Sequence, residues 1–112
     1  MARKTVGLYE DIEIHGKKKE RKVKARIDTG ATKSSIDMTL VAELGLGPVI
    51  NTRIVKSTHG TMLRPVIKVD LTIAGDRITA EFTVADRGHM KYRVLIGQNV
   101  LKTEKFMIDP LK

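Results

Sequence analysis

The chain has 112 residues and no cysteine, which is enough for one hydrophobic core and excludes a disulfide framework or a thiolate metal site. Apolar residues make up 41 % and charged residues 30 %, a balance that predicts a folded domain over 1–112 rather than disorder, with an aliphatic core because aromatics are only 4 %. The net charge of +8 favours acidic partners. The start, MARKTVGLYED, lacks an apolar signal-like region, and no apolar run approaches the roughly 20 residues of a membrane span, so a cytoplasmic protein without membrane contact is expected.

In chain order, VGLYEDIEI (6–14) alternates weakly and runs into His15-Gly16, predicted as a hairpin turn. The following strand, 20–27, places Val23, Ala25 and Ile27 on one face and Lys22, Lys24 and Arg26 on the other. It belongs to a basic stretch, HGKKKERKVKAR, that reads either as a solvated hairpin tip with one wet strand face or as an electrostatic docking patch. Asp37–Leu44 carries helix start and stop signals, an Asp at its head and Gly45 after its end. Two clean strands follow: 67–73, with Ile67, Val69, Leu71 and Ile73 inward, and 77–84, with Ile78, Ala80, Phe82 and Val84 inward. Ala74-Gly75-Asp76 makes the turn between them. Asp86–His89 reads as an exposed loop. A short apolar strand ends at Gly97, a one-turn helix covers 98–102, and 106–108 is a last short strand. This succession predicts an all-β sheet or small barrel with one or two short helices.

Three segments carry candidate chemistry. ARIDTGATKSSID (25–37) puts Asp28 at the end of an apolar strand and follows it with Thr29, Gly30 and Ala31. Asp28 either caps a surface turn or is a carboxylate held for chemistry. Gly30 is expected to serve a bend that a Cβ would resist, and Thr29 to tie the loop to a neighbour. Gly97 stands 69 residues after Asp28, in VLIGQNVL. Between them, STHGTM forms a small polar turn containing Thr58, His59, Gly60 and Thr61. His15, His59 and His89 show no metal-ligand spacing, so no metal and no cofactor are expected, and there is no G-x-S-x-G elbow for a serine nucleophile.

With these three segments in this order, the chain resembles the retropepsin-like aspartic proteases. It is most similar to the archaeal and bacterial retropepsin-like family often labelled ATP-dependent zinc protease, although neither zinc spacing nor a phosphate-binding loop is legible here. The resemblance covers residues 5–109. It implies a small closed β-barrel of acid-protease type, catalysis by Asp28 with Thr29, Gly30 and Ala31 supporting its loop, and a flap over substrate formed by Thr58, His59, Gly60 and Thr61. It also implies Phe106–Ile108 at a dimer interface. Aspartic proteolysis needs two carboxylates sharing one proton. The chain has one D-T-G, so the second would come from a homodimer partner. Where viral relatives carry an Asp–Arg pair, this sequence has Thr32 and Gln98, and neutral hydrogen bonds are expected to hold the loop instead. The expected substrate is a peptide or protein, with acidic peptides suggested by the charge.

Two rival readings carry distinct expectations. A retropepsin-like dimerisation or peptide-binding module would keep the fold without cleaving. A nucleic-acid-binding barrel would stack bases on exposed aromatics. Tyr9, Tyr92, Phe82 and Phe106 are few for that purpose, and Phe82 reads as core, so nucleic acid is not the expected ligand.

Overall fold

The computed structural model describes residues 3–112, so the first two residues of the expected 1–112 domain lie outside it. The described chain runs β1 (Thr5–Val6), β2 (Tyr9–His15), β3 (Glu20–Ile27), β4 (Ser34–Asp37), α1 (Met38–Leu44), β5 (Val49–Ser57) and β6 (Gly60–Ile73). It continues with β7 (Asp76–Ala85), β8 (Val94–Ile96), α2 (Gln98–Thr103) and β9 (Met107–Ile108). Six strands close a barrel in the order β2-β3-β8-β4-β7-β6, and β2 returns to β6 through the pairs Glu13↔Thr72, Ile14↔Leu71 and His15↔Asp70. Closure removes the free edges that an open sheet would expose. The pairs β3–β8 and β4–β7 are parallel, and the other barrel pairs are antiparallel.

The core is aliphatic, as the composition implies. Ile12 and Ile14 from β2, Ala25 and Ile27 from β3, and Ile67, Val69, Leu71 and Ile73 from β6 are buried in one cluster with the rings of Phe82 and Phe106. Each fully buried aliphatic side chain contributes about 1.5–3 kcal/mol relative to an exposed one. On β7, Ile78, Ala80 and Val84 are only partly buried but pack against this core. Leu40 and Leu44 seal α1 onto it, and Gly45 ends that helix in a left-handed conformation with φ 70°.

Three local features differ from the sequence expectation. His15 does not sit in a turn. It ends β2, paired with Glu20, and the turn is made by residues 16–19. The segment β4 reads as a polar cluster, yet all four of its residues are buried between β7 and β8. The Ser34 hydroxyl and the Asp37 carboxylate find partners inside the barrel, while Ser35 Oγ is buried without a hydrogen-bond partner among the described residues, and polarity alone therefore hides a central strand. Asp37 stands at the head of α1, but its side chain does not cap that helix.

Half of β6 lies beyond the barrel. From Gly60 to Pro65 it pairs only with β5, and pairing with β7 begins at Val66. The β5–β6 hairpin therefore projects from the barrel with a two-residue tip, Thr58-His59. The basic outer face of β3 is partly answered within the fold, with Lys22 directly across from Glu13 and Lys24 across from Asp11, and Arg21 on the other face pairs with Glu43. Opposite charges in directly facing pairs are mutually favourable, which supports the wet strand face over a docking patch.

Candidate active site

Asp28 is the first residue past β3. Its backbone N–H donates to the Ile96 carbonyl at 2.9 Å, so the loop hangs from β8, the strand that carries the late glycine. The Ala31 N–H returns to the Asp28 carbonyl at 3.3 Å and closes the turn. The Asp28 carboxylate is half-buried and accepts the Gly30 N–H at 2.9 Å. The expected reason for Gly30 is corrected: its φ lies outside the left-handed region, and an added Cβ would meet only the Asp28 carboxylate, at 3.3 Å. Glycine here keeps the space beside the carboxylate open rather than permitting a bend. Thr29 is exposed at the rim.

The back of the loop rests on α2. The backbone N–H groups of Gln98 and Asn99 donate to the carbonyls of Ala31 and Thr32 at 2.7 and 3.2 Å. The Gln98 side chain donates to the Thr29 carbonyl at 2.8 Å. A neutral amide thus braces the loop at the position where the viral pattern uses a charged pair. Gly97 is pressed against the same loop: a Cβ there would lie 2.5 Å from the Lys33 carbonyl oxygen and 2.8 Å from that of Ala31. Both contacts are backbone atoms that cannot rotate away. Gly97→Ala is therefore expected to cost about 3 kcal/mol, the upper end of ordinary overpacking. A urea unfolding curve measures it, and an unchanged midpoint would contradict the close approach.

Two supporting residues have no sequence signal of their own. Ser34 Oγ accepts the Gly97 N–H at 2.9 Å and donates to Asn99 Oδ1 at 2.8 Å, while Asn99 Nδ2 donates to the Glu81 carbonyl at 2.8 Å. The Asp28 loop, β4, β7 and α2 are thereby locked into one polar network. Only tertiary contact connects Ser34 with Asn99, so no spacing rule points to them.

Asp37 is the second unforeseen centre. It is fully buried. One carboxylate oxygen accepts the Arg87 backbone N–H at 2.8 Å; the other accepts from Arg93 Nε and Nη2 at 3.2 and 3.1 Å and from the Thr39 hydroxyl. Burial pushes the Asp37 carboxyl up, but the Thr39 hydroxyl, the Arg87 N–H and the Arg93 guanidinium outweigh it and hold the group below the usual carboxylate range. This ion pair pins the 86–93 loop to the head of α1. The loop is accordingly not wholly exposed: Arg87 is half-buried and its guanidinium donates twice to the Tyr92 carbonyl. Burial, with the charges of Arg64 and Arg26 adding to it, pushes the Arg87 pKa down against the pull of Asp37 and Asp28.

The predicted flap residues Thr58, His59, Gly60 and Thr61 form the tip of the β5–β6 hairpin, whereas the immediate neighbours of the Asp28 loop come from β8 and α2. Gly60 has φ 116°, a conformation that favours glycine and sets the tip geometry. Below the tip, a groove runs between the hairpin base and the barrel, walled by Met38, Met62, Arg64, Val84 and Asp86. Arg64 Nε is buried there without a hydrogen-bond partner among the described residues. Ile54, Met62 and Leu63 on the hairpin are about 60 % exposed, an apolar surface on a projecting element.

A closed barrel with a D-T-G loop braced by a later strand-Gly-helix unit defines the retropepsin class. The chain belongs to the RimB-like family: the family model described as "Retropepsin-like aspartic endopeptidase RimB" matches residues 41–112, which takes in the hairpin, Gly97 and the C-terminal part but begins after Asp28. Among solved structures, the chain is similar to a protein of unknown function from Legionella pneumophila subsp. pneumophila, with a TM-score of 0.68 and 15 % identity over 99 % of this chain and 96 % of that one. It is also similar to the simian foamy virus (mac) protease, with a TM-score of 0.63 and 21 % identity over 84 % of this chain and 91 % of that one. At these identities the likeness establishes the fold. No curated protein matches the chain.

Proposed function

We propose that the chain is an aspartic endopeptidase active as a homodimer, with Asp28 of each subunit forming the catalytic pair. The observation that carries this reading is the Asp28 loop itself: a half-buried carboxylate on a turn suspended from β8 and braced by Gly97 and Gln98. Within one chain, the other carboxylate attached to this framework, Asp37, is buried and engaged with Arg93, so it is not free to share a proton with Asp28. A two-fold axis beside the exposed Thr29 brings two Asp28 side chains together, with Thr29 of each subunit bonding across it.

In such a pair one carboxylate takes a proton from water as its oxygen attacks the scissile carbonyl carbon. The protonated partner gives its proton to the carbonyl oxygen. Collapse of the tetrahedral intermediate then breaks the C–N bond as the amine leaves with a proton. The β5–β6 hairpin closes over the peptide, using its exposed apolar side chains. Arg87, whose charge couples to that of Asp28, favours substrates carrying carboxylates. The expected result is cleavage of peptides from a diverse library, strongest among acidic sequences, blocked by a transition-state inhibitor of aspartic proteases and falling as pH rises because one carboxyl must stay protonated. Cleavage that persists with the inhibitor, or a protein that is monomeric under conditions of full activity, would overturn the reading.

A further inference from the structure

We propose that Glu13, His15 and Glu20 hold one divalent transition-metal ion of the zinc type, at the end of the barrel where β2 pairs with both β3 and β6. Glu13 and His15 are two apart on β2 and share a face, and Glu20 lies directly across from His15 on β3. The three donor atoms lie within 4.8 Å of one another. His15 Nδ1 is 2.8 Å from Glu20 Oε1 and 3.7 Å from Glu13 Oε1. Ligands at zinc's usual 2.0–2.2 Å in a tetrahedron stand about 3.3 Å apart, so small side-chain rotations bring all three to bonding distance.

Two features make this more than a cluster of exposed acids. The His15 side chain is only 9 % exposed, and Nε2 is fixed at 2.8 Å from Thr72 Oγ1 on β6. With Nδ1 ligating, Nε2 carries the proton and donates to that hydroxyl, the outer contact that orients a metal-bound imidazole. The second feature is charge. A single Nδ1–H can serve one carboxylate, yet two converge on it, and a divalent ion satisfies both. Of the neighbouring cations, Arg77 feels the charges of Glu13 and Glu20 but is committed to both oxygens of Asp70 at 3.2 and 2.8 Å, and Lys22 lies across from Glu13. Imidazole with carboxylates is a borderline donor set that suits zinc and its neighbours better than magnesium. The fourth position faces water beside Glu20, which is 57 % exposed.

The ion would fasten the β2–β3 hairpin across the β2–β6 seam, at the end of β3 opposite Asp28, and so act on stability rather than on the peptide. The test is calorimetric titration of tag-free protein with zinc chloride and, separately, magnesium chloride, with thermal melts alongside. One zinc per chain, a raised Tm with zinc and none with magnesium are expected. Glu20→Gln, an exposed change that leaves the fold intact, should weaken zinc binding at least tenfold and remove the Tm rise, and His15→Gln should abolish both. No saturable zinc binding overturns the proposal. So does equal affinity in wild type and both variants, which would place the ion elsewhere. Peptide cleavage is not a readout, so the result stands apart from the proposed protease activity.

Discussion

Asp28→Asn is expected to lower peptide cleavage by about a thousandfold or more, the range lost when a positioned acid–base group is removed, because a homodimer loses both members of its pair at once. The fold should survive. Asn keeps the size of Asp, and its carbonyl oxygen can still accept the Gly30 N–H that the carboxylate accepts at 2.9 Å. The brace from Gln98 and Gly97 acts on backbone atoms and is untouched. What is lost is the capacity to hold and pass a proton. Mixing gives a sharper measurement. If each active centre needs one Asp28 from each subunit, equal amounts of wild type and variant, allowed to exchange, leave about half the activity of the wild type alone, since mixed dimers are dead. Full activity of Asp28→Asn, or no loss on mixing with a confirmed exchange, would remove Asp28 or the shared site from the mechanism. A dimeric wild type that cleaves nothing over a wide pH range would instead mark a peptide-binding or dimerisation module.

Asp37→Ala is expected to destabilise the protein by about 3 kcal/mol, read from urea unfolding. Removing one partner of a buried ion pair typically costs about 3–5 kcal/mol. The lower end applies because Arg93 is 31 % exposed and water can partly solvate its freed guanidinium. The Arg87 N–H loses its acceptor too, so the 86–93 loop should loosen first, visible as faster hydrogen exchange there than in β6. The pH dependence has a definite sign. The folded Asp37 carboxyl titrates below its ordinary value, so the unfolded chain takes up a proton first as pH falls. The stabilisation is complete above the unfolded carboxylate pKa of about 3.9 and disappears as pH drops from there through the folded value. Between neutrality and about pH 5 this group contributes no slope, and Asp37→Ala should show a flatter acid limb than wild type. An identical acid limb would mean that Asp37 is not held as described.

Much of the barrel is readable from single residues. Strict alternation at 67–73 and 77–84 places the inward side chains, and Ala74 and Gly75 make the turn with positive φ. The three segments around Asp28, Gly60 and Gly97 were legible together because the chemistry constrains their residue types. Other parts were not legible, for one reason: their burial is polar. Ser34 and Asp37 look like surface, and the sequence carries no local mark of Asn99, Arg93 or Arg87 as the partners that offset their burial. His15 reads as a turn residue because Gly16 follows it, and its two ring contacts come from Glu20 across the hairpin and Thr72 across the barrel seam.

The alternating strands, the aliphatic core and the one carboxylate on a D-T-G turn follow from the order of residues alone, because side-chain period and turn chemistry are local properties. Tertiary structure decided what the other polar groups do. Closing β2 onto β6 brought Glu13, His15, Glu20 and Thr72 together, and inserting β4 between β7 and β8 gave Asp37 its arginine and the Asp28 loop its support. Those partners lie up to 69 positions apart in the chain, and only folding delivers them to the polar groups that need them.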